Sequence, residues 1–111
     1  MAYDEELAGR IRVLLATEPA LTEKEMFGGL AFLVGGNMAV AASGQGGLLV
    51  RVDPEESDSL LAGSPAEVAV MRGRPMPGWL RVGASELAGE DALSTWVGRG
   101  VGYARSLPAK R

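Results

Sequence analysis

Hydrophobic positions recur at helical spacing in the first part of the chain and predict an amphipathic helix there. The apolar positions of this stripe are Leu7, Ile11, Leu14 and Leu15. Asp4 is suited to the N-cap, because a carboxylate can accept hydrogen bonds from the first backbone N–H groups of a helix. We therefore predict a helix over about residues 4–17, which ends before Pro19.

The pattern then changes to short apolar runs separated by glycine-rich turns, which is typical of β-strands. Strands are predicted at 25–34, 37–42 and 48–52, the first of them bent at the Gly28–Gly29 pair. A parallel crossover needs about a dozen residues or more, and the loops between these runs are shorter. The three strands are therefore predicted to form an antiparallel meander.

The second half of the chain repeats this alternation. Asp53 and Pro54 are typical of a helix start and predict a helix over 53–62, followed by strands at 68–72 and 79–82 around a connection. A last helix has its apolar face at Leu93, Trp96, Val97, Gly100, Val101, Ala104 and Leu107. Glycine on that face predicts close approach of the helix to the sheet. The element order α-β-β-β-α-β-β-α predicts an α+β fold with helices on an antiparallel sheet.

Composition bounds the size and the chemistry of the protein. The chain has 111 residues, which we interpret as a single domain over 1–111. It contains no cysteine and no histidine, which excludes disulfides, thiolate metal sites and histidine-based catalysis. Most acidic residues fall at predicted helix starts, where capping accounts for them. We therefore predict a non-catalytic protein without a metal or another cofactor.

The charge distribution also bears on partners and location. The formal net charge is −3, and nucleic acids and anionic membranes bind basic surfaces, so direct binding to either is not expected. The N-terminus is acidic rather than basic, unlike a signal peptide. The longest apolar run, 30–34, is far too short to span a bilayer. We expect a cytoplasmic protein.

Alternation along the strands places several arginines on one surface. If the valines of strand 48–52 face the core, Leu49 and Arg51 face the other side of the sheet. The same argument puts Trp79 and Arg81 on that side, while two further arginines flank the turn before them. The candidate site for a partner or an anion is thus Arg51, Arg72, Arg74, Trp79 and Arg81. The alternative is a solvated sheet face with weak Arg–Glu pairs.

This second sheet face is also partly apolar. Besides Leu49 and Trp79, it receives either Met38 with Val40 or Ala39 with Ala41. The three predicted helices can cover only one face of the sheet. A second apolar face in a native protein is often an interface, so we predict a homodimer, formed through the sheet about a two-fold axis.

Several motifs resemble the TfoX/Sxy N-terminal-domain family, which is named for bacterial regulators of natural competence. They are the stretches 22–32 (TEKEMFGGLAF), 36–38 (GNM), 49–52 (LVRV) and 73–79 (GRPMPGW), and the ending over 96–108 is similar too. The resemblance covers nearly the whole chain. It implies a fold similar to secretion-chaperone-like domains, with the order α-β3-α-β2-α.

The resemblance also implies a functional context. Full-length competence regulators carry a further C-terminal helical domain and act with a transcription activator at promoters, so this chain is predicted to be a stand-alone N-terminal domain. The family implies no catalytic residues. Three hypotheses remain open: a protein-interaction module in transcriptional or competence regulation, a module that binds small anionic ligands through the arginine and tryptophan face, and an enzyme that uses arginine and carboxylate alone.

Overall fold

The computed structural model describes residues 3–26, 28–44, 46–71 and 73–108. Within these ranges the chain forms three α-helices and six β-strands. The helices are α1 (Glu5–Leu14), α2 (Pro54–Ala62) and α3 (Glu90–Ser106), and a 3-10 helix spans Ala84–Leu87. The strands are β1 (Leu21–Met26), β2 (Gly29–Val34), β3 (Asn37–Ala42), β4 (Leu48–Arg51), β5 (Glu67–Met71) and β6 (Arg74–Val82).

All six described strands form one sheet, in the order β1-β2-β3-β4-β6-β5, and every neighbouring pair is antiparallel. The prediction of an α+β fold with an antiparallel meander is confirmed, as is the alternation of helices with two groups of strands. The N-caps of α1 and α2 are those predicted. The Asp4 carboxylate accepts from the N–H groups of Glu6 and Leu7 at 3.0 and 3.2 Å, and Asp53 accepts from Glu55 at 2.9 Å.

Two segments differ from the sequence prediction. The single bent strand predicted at 25–34 is a hairpin of β1 and β2, in which Met26 pairs with Gly29. A glycine pair permits either a bend or a reversal of the chain, and here the chain reverses. The second difference lies at 73–78, where a connection was predicted. Most of this segment belongs to β6, which starts at Arg74 opposite Met71.

The helices pack on one face of the sheet and enclose the main core. Phe32, Ile11, Leu48, Leu80 and Leu93 are among its fully buried side chains. A register shift in the β2–β3 pairing, between Phe32 and Leu33, leaves an extra residue on β3. The extra residue breaks the alternation, so consecutive residues of β3 contribute to the helix-side core.

This irregularity decides a choice that the sequence left open. Ala39 and Val40 both belong to the helix-side core, whereas Met38 and Ala41 belong to a cluster on the opposite face. Neither predicted pair, Met38 with Val40 or Ala39 with Ala41, is therefore correct. Both alternatives assumed a strand without a bulge.

The opposite face carries a second, smaller apolar cluster formed only by strand residues. Its buried members are Ala31, Met38, Ala41, Leu49 and Ala69. Leu49 is 9% exposed, although no helix residue belongs to this cluster. Met26, Leu33 and Trp79 pack against it and are only partly buried. The second apolar face predicted from alternation is confirmed, and its centre is already covered within the chain.

Candidate functional site

The arginines of the described residues differ in the partners of their guanidinium groups. Three of them bridge separate elements by pairing with glutamates: Arg10 with Glu90, Arg12 with Glu23, and Arg105 with Glu18. The first two pairs have a nitrogen–oxygen distance of 2.8 Å. These pairs join α1 to the start of α3, α1 to β1, and the end of α3 to the loop after α1. Their role is structural.

Three of these paired groups have shifted pKa values. The hydrogen bond from Arg12 lowers the pKa of the Glu23 carboxyl and raises the pKa of the Arg12 guanidinium. The hydrogen bond to Glu18 likewise raises the pKa of Arg105. Both partners of the Arg12–Glu23 pair are at least about a third exposed, so solvent screens this pair and its net contribution to stability is small. In the Arg105–Glu18 pair the arginine is exposed, whereas the glutamate side chain is only 6% exposed.

Arg51 belongs to a different environment, in which aromatic rings replace carboxylates. Its guanidinium carbon lies 5.2 Å from the centroid of the Trp79 ring and 5.5 Å from that of Tyr103. Arg51 ends β4 and is the cross-strand partner of Trp79 on β6, and Tyr103 reaches the guanidinium from α3. We call these three residues the arginine–aromatic cluster. A cation near an aromatic face is stabilised by the ring quadrupole.

The guanidinium of this cluster is not neutralised by a neighbouring carboxylate. Within the described part of the chain, Arg51 has no hydrogen bond and no ion pair. All three side chains of the cluster are half-buried rather than enclosed. Aromatic contacts leave the N–H donors at the edge of a guanidinium available, and those donors match the oxygens of a carboxylate or a phosphate.

A groove between α2 and α3 adjoins the cluster. It has a volume of about 380 Å³ and is lined by Val52, Asp53, Glu56, Leu60, Gly98, Arg99, Gly102, Tyr103 and Ser106. Tyr103 therefore belongs to both the cluster and the groove. On the α2 side the groove carries the carboxylates of Asp53 and Glu56, and on the α3 side the guanidinium of Arg99, which lies 4.5 Å from the Trp96 ring centroid.

The structure brings together only part of the predicted site. Arg51 and Trp79 meet as predicted. Trp79 packs against the Leu49 cluster on the face without helices, whereas Arg51, the last residue of β4, contacts both Trp79 and, on the helix side, Tyr103. Arg81 shares that face, but its Nη2 donates to the carbonyl of Gly46 at 3.2 Å, near the opposite end of β4. Arg74 is exposed at the start of β6, in the part of this strand that pairs only with β5. Arg72 lies outside the described residues. The expected group of four guanidiniums around one tryptophan is therefore not formed by the described arginines.

Sequence reasoning did not assign Tyr103 and Arg99 to the site. Both lie on α3, whose buried residues include Trp96, Gly100 and Ala104. Arg99 follows Trp96 by three positions, a spacing at which helical side chains meet, and this was a usable signal. The contact of Tyr103 with Arg51 depends on how α3 crosses the sheet, which no local pattern reports.

The described residues hold no cluster of acidic side chains that could bind a metal ion. No helix in the described part of the chain is both long and apolar enough to cross a membrane.

Three helices on one face of a six-stranded antiparallel sheet, counted over the described residues, define a small α+β domain. The family model of the TfoX N-terminal domain matches residues 13–104, and the chain belongs to this family. The resemblance noted in the sequence is thereby confirmed. No curated protein and no solved structure matches the chain.

Proposed function

We propose that this domain is a non-catalytic protein-interaction module, and that its contact surface is the arginine–aromatic cluster with the adjoining groove. The observation that carries the proposal is the Arg51 guanidinium, held near two aromatic rings and left without a carboxylate partner in the described chain. Arginine and aromatic side chains are the residue types that contribute most to protein interfaces. Membership of the TfoX N-terminal domain family is compatible with this role.

The proposal includes a regulatory context. The domain acts in transcription or competence regulation, in the cytoplasm, through a protein partner rather than by contacting DNA. Its net charge of −3 supports binding to a protein rather than to DNA, because proteins that bind DNA directly do so through basic surfaces. DNA binding by the purified chain with a steep salt dependence would contradict this part of the proposal.

Photo-cross-linking in the cell of origin tests the interaction module. A photoreactive amino acid in place of Gly98, an exposed residue of the groove, should capture one partner protein at a fixed stoichiometry to the domain. The matched control carries the same amino acid at Val13, which is 76% exposed on α1. Capture at 98 but not at 13 supports the proposal. The same adducts at both positions, or none at 98, would overturn it.

A homodimer through the second sheet face is part of the proposal. Its support is that the apolar residues Met26, Leu33 and Trp79 remain half-exposed there, on the face without helices. Trp79 belongs to both this face and the arginine–aromatic cluster. A dimer on that face therefore changes the exposure of Trp79 and must be measured together with partner binding.

The unpaired guanidinium also favours a second candidate function, the binding of a small anionic ligand. Trp79 fluorescence would report such a ligand, in a Trp96→Phe background that removes the second indole. A saturable change on adding an anionic metabolite, abolished by Arg51→Gln and kept by Arg74→Gln, would favour this candidate. An unchanged spectrum with all anions tested would leave the protein-interaction module as the better account.

A further inference from the structure

We infer that Arg51 is the anchor for a carboxylate of an acidic protein segment, whose neighbouring apolar side chains enter the groove between α2 and α3. The inference rests on the proposed function and names the chemistry of the partner. It uses two independent features: the unpaired guanidinium and the composition of the groove beside it.

The first feature selects a planar anion. Trp79 and Tyr103 lie against the guanidinium at centroid distances of 5.2 and 5.5 Å, so the rings restrict its orientation before any partner binds. Pre-ordering lowers the entropic cost of binding, because less side-chain freedom is lost. The donors of a guanidinium match the two oxygens of a carboxylate, and a charge-assisted pair of this kind is stronger than a neutral hydrogen bond. The ammonium group of a lysine cannot present two parallel N–H donors in one plane.

The second feature distinguishes a protein carboxylate from a phosphate. Asp53 and Glu56 line the groove next to the cluster, so the field there is not uniformly positive. Val52 and Leu60 provide apolar surface in the same groove, and a free anion has nothing to bury against it.

Charge complementarity extends this argument along α3. Arg99 lies one helical turn before Tyr103 and also lines the groove. Like Arg51, its guanidinium lies against an aromatic ring and has no ion pair among the described residues. A segment with acidic residues spaced between apolar ones therefore meets a cation at both positions and apolar side chains in the groove.

The test uses two labelled, terminally blocked peptides of the same short sequence. One alternates glutamate with leucine and serine, and the other has glutamine in place of every glutamate. Fluorescence anisotropy measures their binding to the full chain, and inorganic phosphate is titrated separately. We expect saturable binding of the glutamate peptide and at least about tenfold weaker binding of the glutamine peptide, since a hydrogen bond to a charged group contributes on that scale.

Matched variants locate the binding. Arg51→Gln should weaken binding of the glutamate peptide by at least about tenfold. Arg51→Lys keeps the positive charge but loses the coplanar N–H donors of the guanidinium, so it should weaken binding of the glutamate peptide as well. Arg74→Gln, an exposed arginine of β6 outside the cluster, should leave binding unchanged. Circular dichroism of each variant shows whether it is folded, and the two Arg51 variants serve as independent tests.

Four results would overturn the inference: equal binding of both peptides, full binding by Arg51→Gln, binding of phosphate but not of the glutamate peptide, or no binding of any probe. Failure of the anchor is distinguishable from failure of the interaction module. If Arg51→Gln, introduced into the chain with the photoreactive amino acid at position 98, still captures the partner, the interaction module is supported and the carboxylate anchor is wrong. If the chain with the photoreactive amino acid at position 98 and Arg51 intact captures no partner, the interaction module itself is wrong.

Discussion

The backbone of Gly100 on α3 lies directly against the carbonyl oxygen of Ala39 on β3. A Cβ at position 100 would be 2.4 Å from that oxygen and 2.7 Å from the Val40 side chain. Ala39 is at the β-bulge, where Ala39 and Val40 both join the helix-side core. The bulge and the glycine thus allow α3 to cross the sheet closely, and this crossing brings Tyr103 within reach of Arg51.

Gly100→Ala is therefore expected to destabilise the protein, although alanine favours helix formation. Overpacking of a close contact costs about 1 to 3 kcal/mol. Gly98 and Gly102 are matched controls, because a Cβ at either position would have no atom within 4 Å. Gly98→Ala and Gly102→Ala should each stabilise the chain by about 1 kcal/mol. Urea unfolding measures all three, and a stabilising Gly100→Ala would contradict the packing described here.

The cap of α1 gives a second prediction. The Asp4 carboxylate accepts from two backbone N–H groups, so Asp4→Ala should reduce the free energy of unfolding by about 1 kcal/mol. Asp4→Asn keeps a side-chain oxygen at the cap and should cost much less. Thermal unfolding of the two variants separates capping from a general effect of charge. Equal losses in both would show that the capping hydrogen bonds contribute little.

The Arg12–Glu23 pair predicts a pH dependence of stability. The hydrogen bond from Arg12 lowers the pKa of Glu23 in the folded state, so the unfolded chain binds a proton more readily. The stabilisation is fully present above the ordinary glutamate pKa of 4.5 and is lost as the pH falls through the lowered value. Glu23→Gln should make the free energy of unfolding depend less on pH in the acidic range. Denaturant unfolding from pH 7 to pH 3 measures it, with Glu25→Gln, an exposed residue of β1, as the control.

The homodimer is tested at Leu33, a half-buried residue of the second face. If the dimer forms there, Leu33→Arg should convert it to a monomer in sedimentation velocity, because an unpaired charge at an apolar interface is costly. Val13→Arg introduces the same charge at an exposed position of α1 and should leave the dimer intact. A parent chain that sediments as a monomer at micromolar concentration would refute the dimer.

Much of the fold was predictable because its signals are local. Asp53 and Pro54 mark the start of α2 by capping and by a fixed backbone angle, and neither depends on distant residues. Alternation along β4 and β6 placed Arg51 and Trp79 on one face, since successive strand side chains point in opposite directions. The prediction failed at Gly28–Gly29, where glycine permits both a bend and a turn and the pairing of β1 with β2 decides between them.

The candidate site depended more heavily on tertiary structure. The sequence by itself determined the class of the fold, the absence of cysteine and histidine chemistry, and the pairing of Arg51 with Trp79. It could not determine where the other guanidiniums lie, because a long arginine side chain selects among all acceptors in reach. Arg81 reaches the carbonyl of Gly46, while Tyr103 on α3 completes the environment of Arg51. That last contact depends on where α3 crosses the sheet, and such packing is decided by the whole core rather than by local periodicity.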